Sequence, residues 1–324
     1  MLSVVVDTEE EFDWGGGFFR EKTAVTNIAG IARAQSVFDE FDLRPTYVVD
    51  YPVATDDGAI APLKEFQDAG RAVIGAHLHP WVNPPHEEEV TNPNSYPGNL
   101  PRNLELRKLQ RLSNAIEEAF GDRPTVYRAG RYGVGPNTAS ILEELGYDID
   151  LSVCPRIDFA EDGGPNFLGY SPEPYWFGKN RRLLEIPRSA DYIGFVRGAA
   201  PLLRKLDWWI LPGVFSRAGA FERMKLTPEG VPLDEMRRFT RVLYERGLRA
   251  FVFDFHSPSA SVGHTPYVQS ETELQAFLDT IRRYCEFFLN ELNGEGATPP
   301  EIKAALESGG AEGELEREQA PDQG

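Results

Sequence analysis

Apolar residues along the chain fall into two alternating patterns. Short runs such as Val4-Val5-Val6, Thr46-Tyr47-Val48-Val49, Ala72-Val73-Ile74-Gly75, Thr125-Val126-Tyr127 and Leu183-Leu184-Glu185-Ile186 read as strands, as do 148–153 and 250–255. Between them, apolar positions recur at helical spacing. Ile28, Ile31, Ala34, Val37, Phe38 and Phe41 mark a helix over 27–41, with Thr26 as its candidate cap. Further helices are predicted over 60–69, 103–120, 137–145, 233–246 and 271–292, the second and fourth of the six stopped by Gly70 and Gly146. A Pro- and Asn-rich loop fills 80–101, and 155–177 is irregular. Loops this long inside a domain tend to carry function.

Strands alternating with helices predict a parallel sheet with helices outside. Seven strand candidates suit a closed or nearly closed α/β barrel, with an open doubly wound sheet as the alternative. From Asn293 onward Gly, Glu, Pro and Ala replace large apolar residues. This predicts a domain over 1–292 and an acidic, disordered tail over 293–324, with a short helix near 302–306.

Composition narrows the function classes. With 324 residues and 41% hydrophobic content, the chain can bury one large core. A net charge of −18 repels phosphate backbones and argues against nucleic acid as the main ligand. Cys154 and Cys285 are the only cysteines, far apart, which excludes a disulfide framework and a cysteine-rich zinc site. No basic-then-apolar leader precedes the first strand and no apolar run reaches the roughly 18 residues of a membrane span, so a cytoplasmic protein is expected.

The chemistry-bearing residues sit where strands end, the edge at which parallel α/β folds build their sites. Asp7-Thr8-Glu9-Glu10-Glu11-Phe12-Asp13-Trp14 follows the first strand, and Asp7 and Glu9 share one face of an extended chain. Packed carboxylates repel unless a cation or a shared proton relieves them. His77-Leu78-His79-Pro80-Trp81 carries a His-x-His pair of the kind that binds zinc and similar metals, with His86 seven residues beyond His79. Arg128-Ala129-Gly130-Arg131-Tyr132-Gly133 sets two arginines among glycines, where a guanidinium can pin a carboxylate by paired hydrogen bonds. Phe253-Asp254-Phe255-His256-Ser257-Pro258 ends in a histidine suited to general acid catalysis, with Asp254 on the same face. A parallel barrel would gather all four clusters at one mouth.

These four phrases, in this order, resemble the NodB-homology polysaccharide deacetylases of carbohydrate esterase family four, and most closely the WalW-type branch. The resemblance implies a distorted (β/α)7 barrel, one divalent metal, and removal of N- or O-acetyl groups from a glycan or glycan precursor. Carried over, Asp7 is the catalytic base, Arg128 its orienting partner and His256 the general acid. Glu9, His77 and His79 are the metal ligands, and a backbone N–H near Arg131 or Tyr132 lines an oxyanion hole. Two departures from the family keep alternatives open. Typical members carry two adjacent aspartates where this chain has Asp7-Thr8, so the metal carboxylate is Glu9 or Glu10, with Glu9 favoured by side-chain parity. Typical members also space the two histidines by four rather than two, so the second ligand is His79 or His86. Zinc is the default for this donor set, with manganese, cobalt or nickel as alternatives. Trp14, Trp81 and Trp176 are candidates to stack on sugar rings. The rival readings are a hydrolase of small amides or cyclic ureides on the same fold, and a non-catalytic glycan-binding module.

Overall fold

The computed structural model describes residues 1–194 and 222–309. The elements run β1 (Leu2–Thr8), α1 (Ile31–Asp39), β2 (Thr46–Val49), α2 (Asp57–Asp68), β3 (Val73–Leu78), α3 (Arg102–Phe120), β4 (Val126–Ala129), α4 (Thr138–Leu145), β5 (Ile149–Asp150), β6 (Tyr175–Phe177), β7 (Leu183–Glu185), β8 (Ala190–Ile193), β9 (Glu222–Lys225), α5 (Leu233–Glu245), β10 (Phe251–His256), α6 (Glu271–Glu286) and α7 (Pro299–Gly309). Local signals set the helix ends. The Asp56 side chain accepts from the Ala59 N–H at the start of α2, and Ser270 does the same for Glu273 at the start of α6. At the end of α4, Gly146 takes the left-handed conformation that the sequence predicts for a stop, with φ at 82°. Residues 26–30, read as the start of the first helix, form a separate 3-10 turn.

The sheet order is β10-β1-β2-β3-β4-β5-β7-β6. Six parallel pairings join seven strands, and β6 adds one antiparallel strand at the edge, inside the region expected to be irregular. Among the described residues no ladder joins β7 to β10. Sparse bonds span that gap instead: the Ser189 hydroxyl accepts from the Val252 N–H, Leu226 N–H donates to the Ser189 carbonyl, and Asp254 N–H donates to the Leu226 carbonyl. The result is the expected distorted barrel, with β8 and β9 forming a small antiparallel pair near the gap.

Strand alternation divides the apolar residues between two cores. Residues such as Val4, Val6, Tyr47, Val49 and Phe253 pack outward against the helices. Val5, Val48, Val126, Ile149, Leu184 and Val252 pack together as a second core. Two residues farther along three of these strands, on the same face, come Asp7, Arg128 and Asp254. An apolar floor therefore lies directly beneath a charged layer, and that floor keeps the layer in low dielectric.

The chain stays packed past the boundary expected at Asn293. Leu2 N–H donates to the Glu295 carbonyl, Ala297 N–H donates to the Leu2 carbonyl, and Ile302 of α7 is fully buried in the second core. The physical reason is that the apolar floor needs a cover, which Ile302 supplies with Ala297 and Leu306 beside it. Truncating Ile302 to Ala would cost about 2–5 kcal/mol. Residues 310–324 of the expected tail lie outside the described residues. Among the described residues no helix is long and apolar enough to cross a membrane.

Candidate active site and metal centre

Register places the charged layer. Asp7 on β1 pairs across the ladder with His256 on β10, and His77 on β3 pairs with Arg128 on β4. Glu9 follows β1, with its N–H donating to Ser257 Oγ and its carbonyl accepting from Asn27 Nδ2. Asn27 Oδ1 in turn accepts from Ser257 Oγ, so the turn carrying Glu9 is tied from both sides.

Glu9 Oε2 lies 3.4 Å from His77 Nε2 and 3.5 Å from His79 Nε2. Donors that share one tetrahedral zinc at bond lengths of about 2.0–2.1 Å sit roughly 3.3–3.5 Å apart, so both Glu9 contacts have the spacing of a metal site, and all three donors lie within 4.8 Å of one another. The donors are also in the right state. His77 Nδ1 faces the Arg128 carbonyl at 3.0 Å and His79 Nδ1 faces Glu10 Oε2 at 2.7 Å, which assigns the proton to Nδ1 in both rings and leaves the Nε2 lone pairs toward Glu9. Burial keeps both imidazoles neutral, His77 well below its ordinary pKa and His79 lowered to about 4. Glu9 itself is under electrostatic stress. Burial, then the crowding of Asp7, Glu10, Asp50 and Glu229, pushes its carboxyl well above the usual range, and its Oε1 has no hydrogen-bond partner among the described residues. A divalent cation at the triangle would relieve both problems. The three residues fit a metal.

Beside the triangle, Arg128 Nη1 stands 3.1 Å from Asp7 Oδ1, and Arg128 Nη2 donates to Asp254 Oδ2 at 2.6 Å. Asp254 Oδ1 also receives Arg188 through Nε at 3.0 Å and Nη2 at 2.6 Å. Two guanidinium cations and two carboxylates thus balance in a buried cluster. Burial raises the Asp7 pKa, against the pull of Arg128 and His256. His256 Nε2 lies 3.7 Å from Asp7 Oδ2, while its Nδ1 lies 2.8 Å from Glu229 Oε2. Burial opposes the imidazolium charge, yet Glu229 and Asp7 outweigh it and hold His256 above its ordinary pKa. Glu229 is fixed by Ser259 Oγ at 2.6 Å and by the His256 N–H at 3.0 Å.

A cavity of about 250 Å³ opens onto these groups, lined by Asp7, Glu9, His77, His79 and His256 and walled by Phe12, Phe18, Trp81, Tyr96, Tyr132 and Phe159. Arg131 and Tyr132 line it from a turn in which both residues adopt left-handed conformations, φ 56° and 60°. Such strain in consecutive non-glycine residues persists only where surroundings enforce it. Arg131 Nη1 bonds Asn92 Oδ1 at 2.7 Å and Ser95 Oγ at 2.5 Å, and its guanidinium stacks on Tyr96. Gly130 is required by contact: a Cβ there would lie 2.5 Å from His79 Cδ2.

The structure therefore gathers Asp7, Glu9, His77, His79, Arg131, Tyr132, Trp81 and His256 at one cavity, with Arg128 buried beside Asp7. His86 lies elsewhere, exposed beside Phe19 and Glu87, and Glu10 turns its carboxyl to the outer nitrogen of His79. Trp81 lines the cavity, but its indole N–H is engaged with Glu10 Oε1 and its ring stacks on His79. Trp14 sits edge-on to the His256 ring, and Trp176 packs against the apolar floor. Sequence reasoning passed over Glu229, Arg188 and Asp50. Glu229 and Arg188 lie on irregular segments where no spacing rule links them to their partners, whereas Asp50 directly follows β2, the kind of strand-end position that could have found it.

No family profile matches the chain, and no curated protein matches it in sequence. Solved structures do match. A Mycobacterium smegmatis protein assigned as a polysaccharide deacetylase aligns over 99% of this chain and 93% of its own, with a TM-score of 0.59 and 19% identity. A Pseudomonas aeruginosa protein assigned to the same activity aligns over 98% and 92%, at TM-score 0.54 and 16% identity. An allantoinase aligns over 95% and 90%, at TM-score 0.56 and 17% identity. At these identities the likeness is one of architecture, and the chain shares the fold of these proteins.

Proposed function

We propose that the chain is a metal-dependent hydrolase that removes N- or O-acetyl groups from a glycan or glycan precursor, in the manner of the WalW-type deacetylases. The observation that carries this reading is the Glu9, His77 and His79 triangle at metal-ligand spacing, flanked by Asp7 and His256. A divalent cation bound there supplies a Lewis acid that polarises a carbonyl and acidifies a water. The chain's own groups do the rest. Asp7 takes a proton from the attacking water, and the burial that raises its pKa makes it a stronger base. Arg128 fixes its orientation. Water oxygen bonds to the acetyl carbon, and a backbone N–H near Arg131 or Tyr132, which line the cavity, would hold the oxyanion that forms. His256, whose protonated form Glu229 favours, gives its proton to the departing amine or alkoxide as the C–N or C–O bond breaks. The products are acetate and the freed sugar.

One observation favours a second reading. The cavity, at about 250 Å³, is smaller than the roughly 300–1,000 Å³ of most ligand pockets, which suits a small amide as well as a single sugar ring. Acetate release from a panel of acetylated sugars and oligosaccharides tests both. The protein is measured as purified, after chelation, and after zinc, manganese, cobalt or nickel is restored. Release that chelation stops and metal restores is the expected result. Turnover of cyclic ureides or small amides alone moves the assignment to the second reading, and no turnover by folded, metal-loaded protein on any of them refutes the enzyme.

A further inference from the structure

The two histidines of the triangle are held in different ways. His77 presents Nδ1 to a backbone carbonyl, that of Arg128. His79 presents Nδ1 to a side chain, Glu10 Oε2 at 2.7 Å. Glu10 is itself clamped: its Oε1 accepts from Trp81 Nε1 at 2.7 Å, and its backbone N–H donates to Asp50 Oδ2 at 2.8 Å. Asp50 Oδ1 accepts from the Val53 N–H at 2.9 Å. Glu10, Asp50, His79 and Trp81 are all buried, and the Trp81 ring stacks on the His79 ring with centroids 4.3 Å apart.

Glu10, Asp50 and His79 also lie close enough together to suggest a second cation. Spacing decides against it. Two donors on one such ion stand about 3.3 Å apart, whereas 2.7 Å between His79 Nδ1 and Glu10 Oε2 is a hydrogen bond.

We infer that Glu10, braced by Trp81 and Asp50, is a positioning residue that fixes the ring and tautomer of His79 and thereby sets the affinity of the metal site. This rests on Glu9, His77 and His79 being the ligands. A carboxylate on the outer nitrogen of a ligating imidazole orients the ring and strengthens its donation, and its loss typically costs 10–100-fold in metal affinity or activity. His77 has no side chain in that place, so the dependence falls on one ligand of the pair.

The test is zinc affinity of the full chain by competition with a chromophoric chelator, for wild type, Glu10→Gln and Trp81→Phe, with the ligand-field spectrum of the cobalt-loaded proteins as a second readout. Glu10→Gln should weaken zinc binding about 10–100-fold and change the cobalt spectrum, while the metal-free protein melts within a few degrees of wild type. Trp81→Phe keeps the stacked ring but frees one oxygen of Glu10, and should weaken binding less. Should Glu10→Gln fail to fold, Trp81→Phe carries the test. Wild-type affinity in the folded variants overturns the inference alone. A wild-type protein that binds no zinc overturns the ligand assignment and the inference with it.

Discussion

Asp254→Asn isolates the buried charge balance behind the active site. The substitution keeps the shape of the side chain and removes its charge. Arg128 and Arg188 then face Asp7 alone, leaving the cluster with an unpaired positive charge in an environment where these residues are 1–5% exposed. Three charge-assisted hydrogen bonds of 2.6–3.0 Å are altered, and the new amide group must turn N–H donors toward a guanidinium. Summed singly at about 1.5–3 kcal/mol each, these bonds would exceed what such changes cost, because their effects overlap. The better guide is the loss of one partner from a buried pair, about 3–5 kcal/mol. The arginines hold the Asp254 carboxyl below its ordinary pKa despite burial, so its stabilisation is complete at neutral pH and is lost as pH falls through that lowered value. Denaturant unfolding at pH 7 should therefore show a loss of about 3–5 kcal/mol that narrows on acidification. Glu144→Gln, which breaks the exposed 2.6 Å pair with Arg102, should cost no more than about 0.5 kcal/mol. A loss under about 1 kcal/mol for Asp254→Asn at pH 7, or a gap that does not narrow in acid, refutes the reasoning.

Three further outcomes follow from the site. Asp7→Asn and His256→Ala should each lower kcat by about 10²–10⁴-fold while zinc affinity, read by chelator competition, stays near wild type. Glu229→Gln removes the charge that raises the His256 pKa, so the alkaline limb of the kcat/KM profile, where the acid loses its proton, should move to lower pH; an unmoved limb rules His256 out as the titrating acid. Excess zinc should raise the melting temperature of the wild type, with about 2.7 kcal/mol gained at a free concentration one hundred times Kd, and should leave Glu9→Gln nearly unmoved.

The barrel was legible because parallel strands and amphipathic helices write different periods: β1, β2, α3 and β10 fall within a residue or two of the predicted places, and β3 runs three residues past its predicted end. The site was legible where its residues follow strands, since register and alternation place Asp7, His77, Arg128 and His256 without further information. Parity also favoured Glu9 over Glu10, and Glu9 Oε2 faces both histidines while Glu10 turns to the outer nitrogen of His79. What stayed hidden depends on pairings without period. Glu229 reaches His256 across 27 residues from a turn after β9, and Arg188 reaches Asp254 from the segment that bridges the open side of the barrel. α7 covers the short helix expected near 302–306, but the acidic composition beyond Asn293 hid its packing, because a few apolar residues there, Ile302 with Ala297 and Leu306 beside it, are enough to meet the apolar floor.

The placement of the proposed reacting groups on ladder rungs, with cavity walls drawn from loops, separates two kinds of heritable change. An inserted or deleted residue within β1, β3, β4 or β10 would turn every later side chain of that strand to the opposite face, exchanging Asp7 with Thr8 or His256 with Phe255, and would end the chemistry in one step. Changes of length between Trp81 and Leu100, or around Phe159, would reshape the walls and leave every rung in place. Selection for a new substrate can therefore act on the connections by insertion and deletion, while the strands accept only substitution.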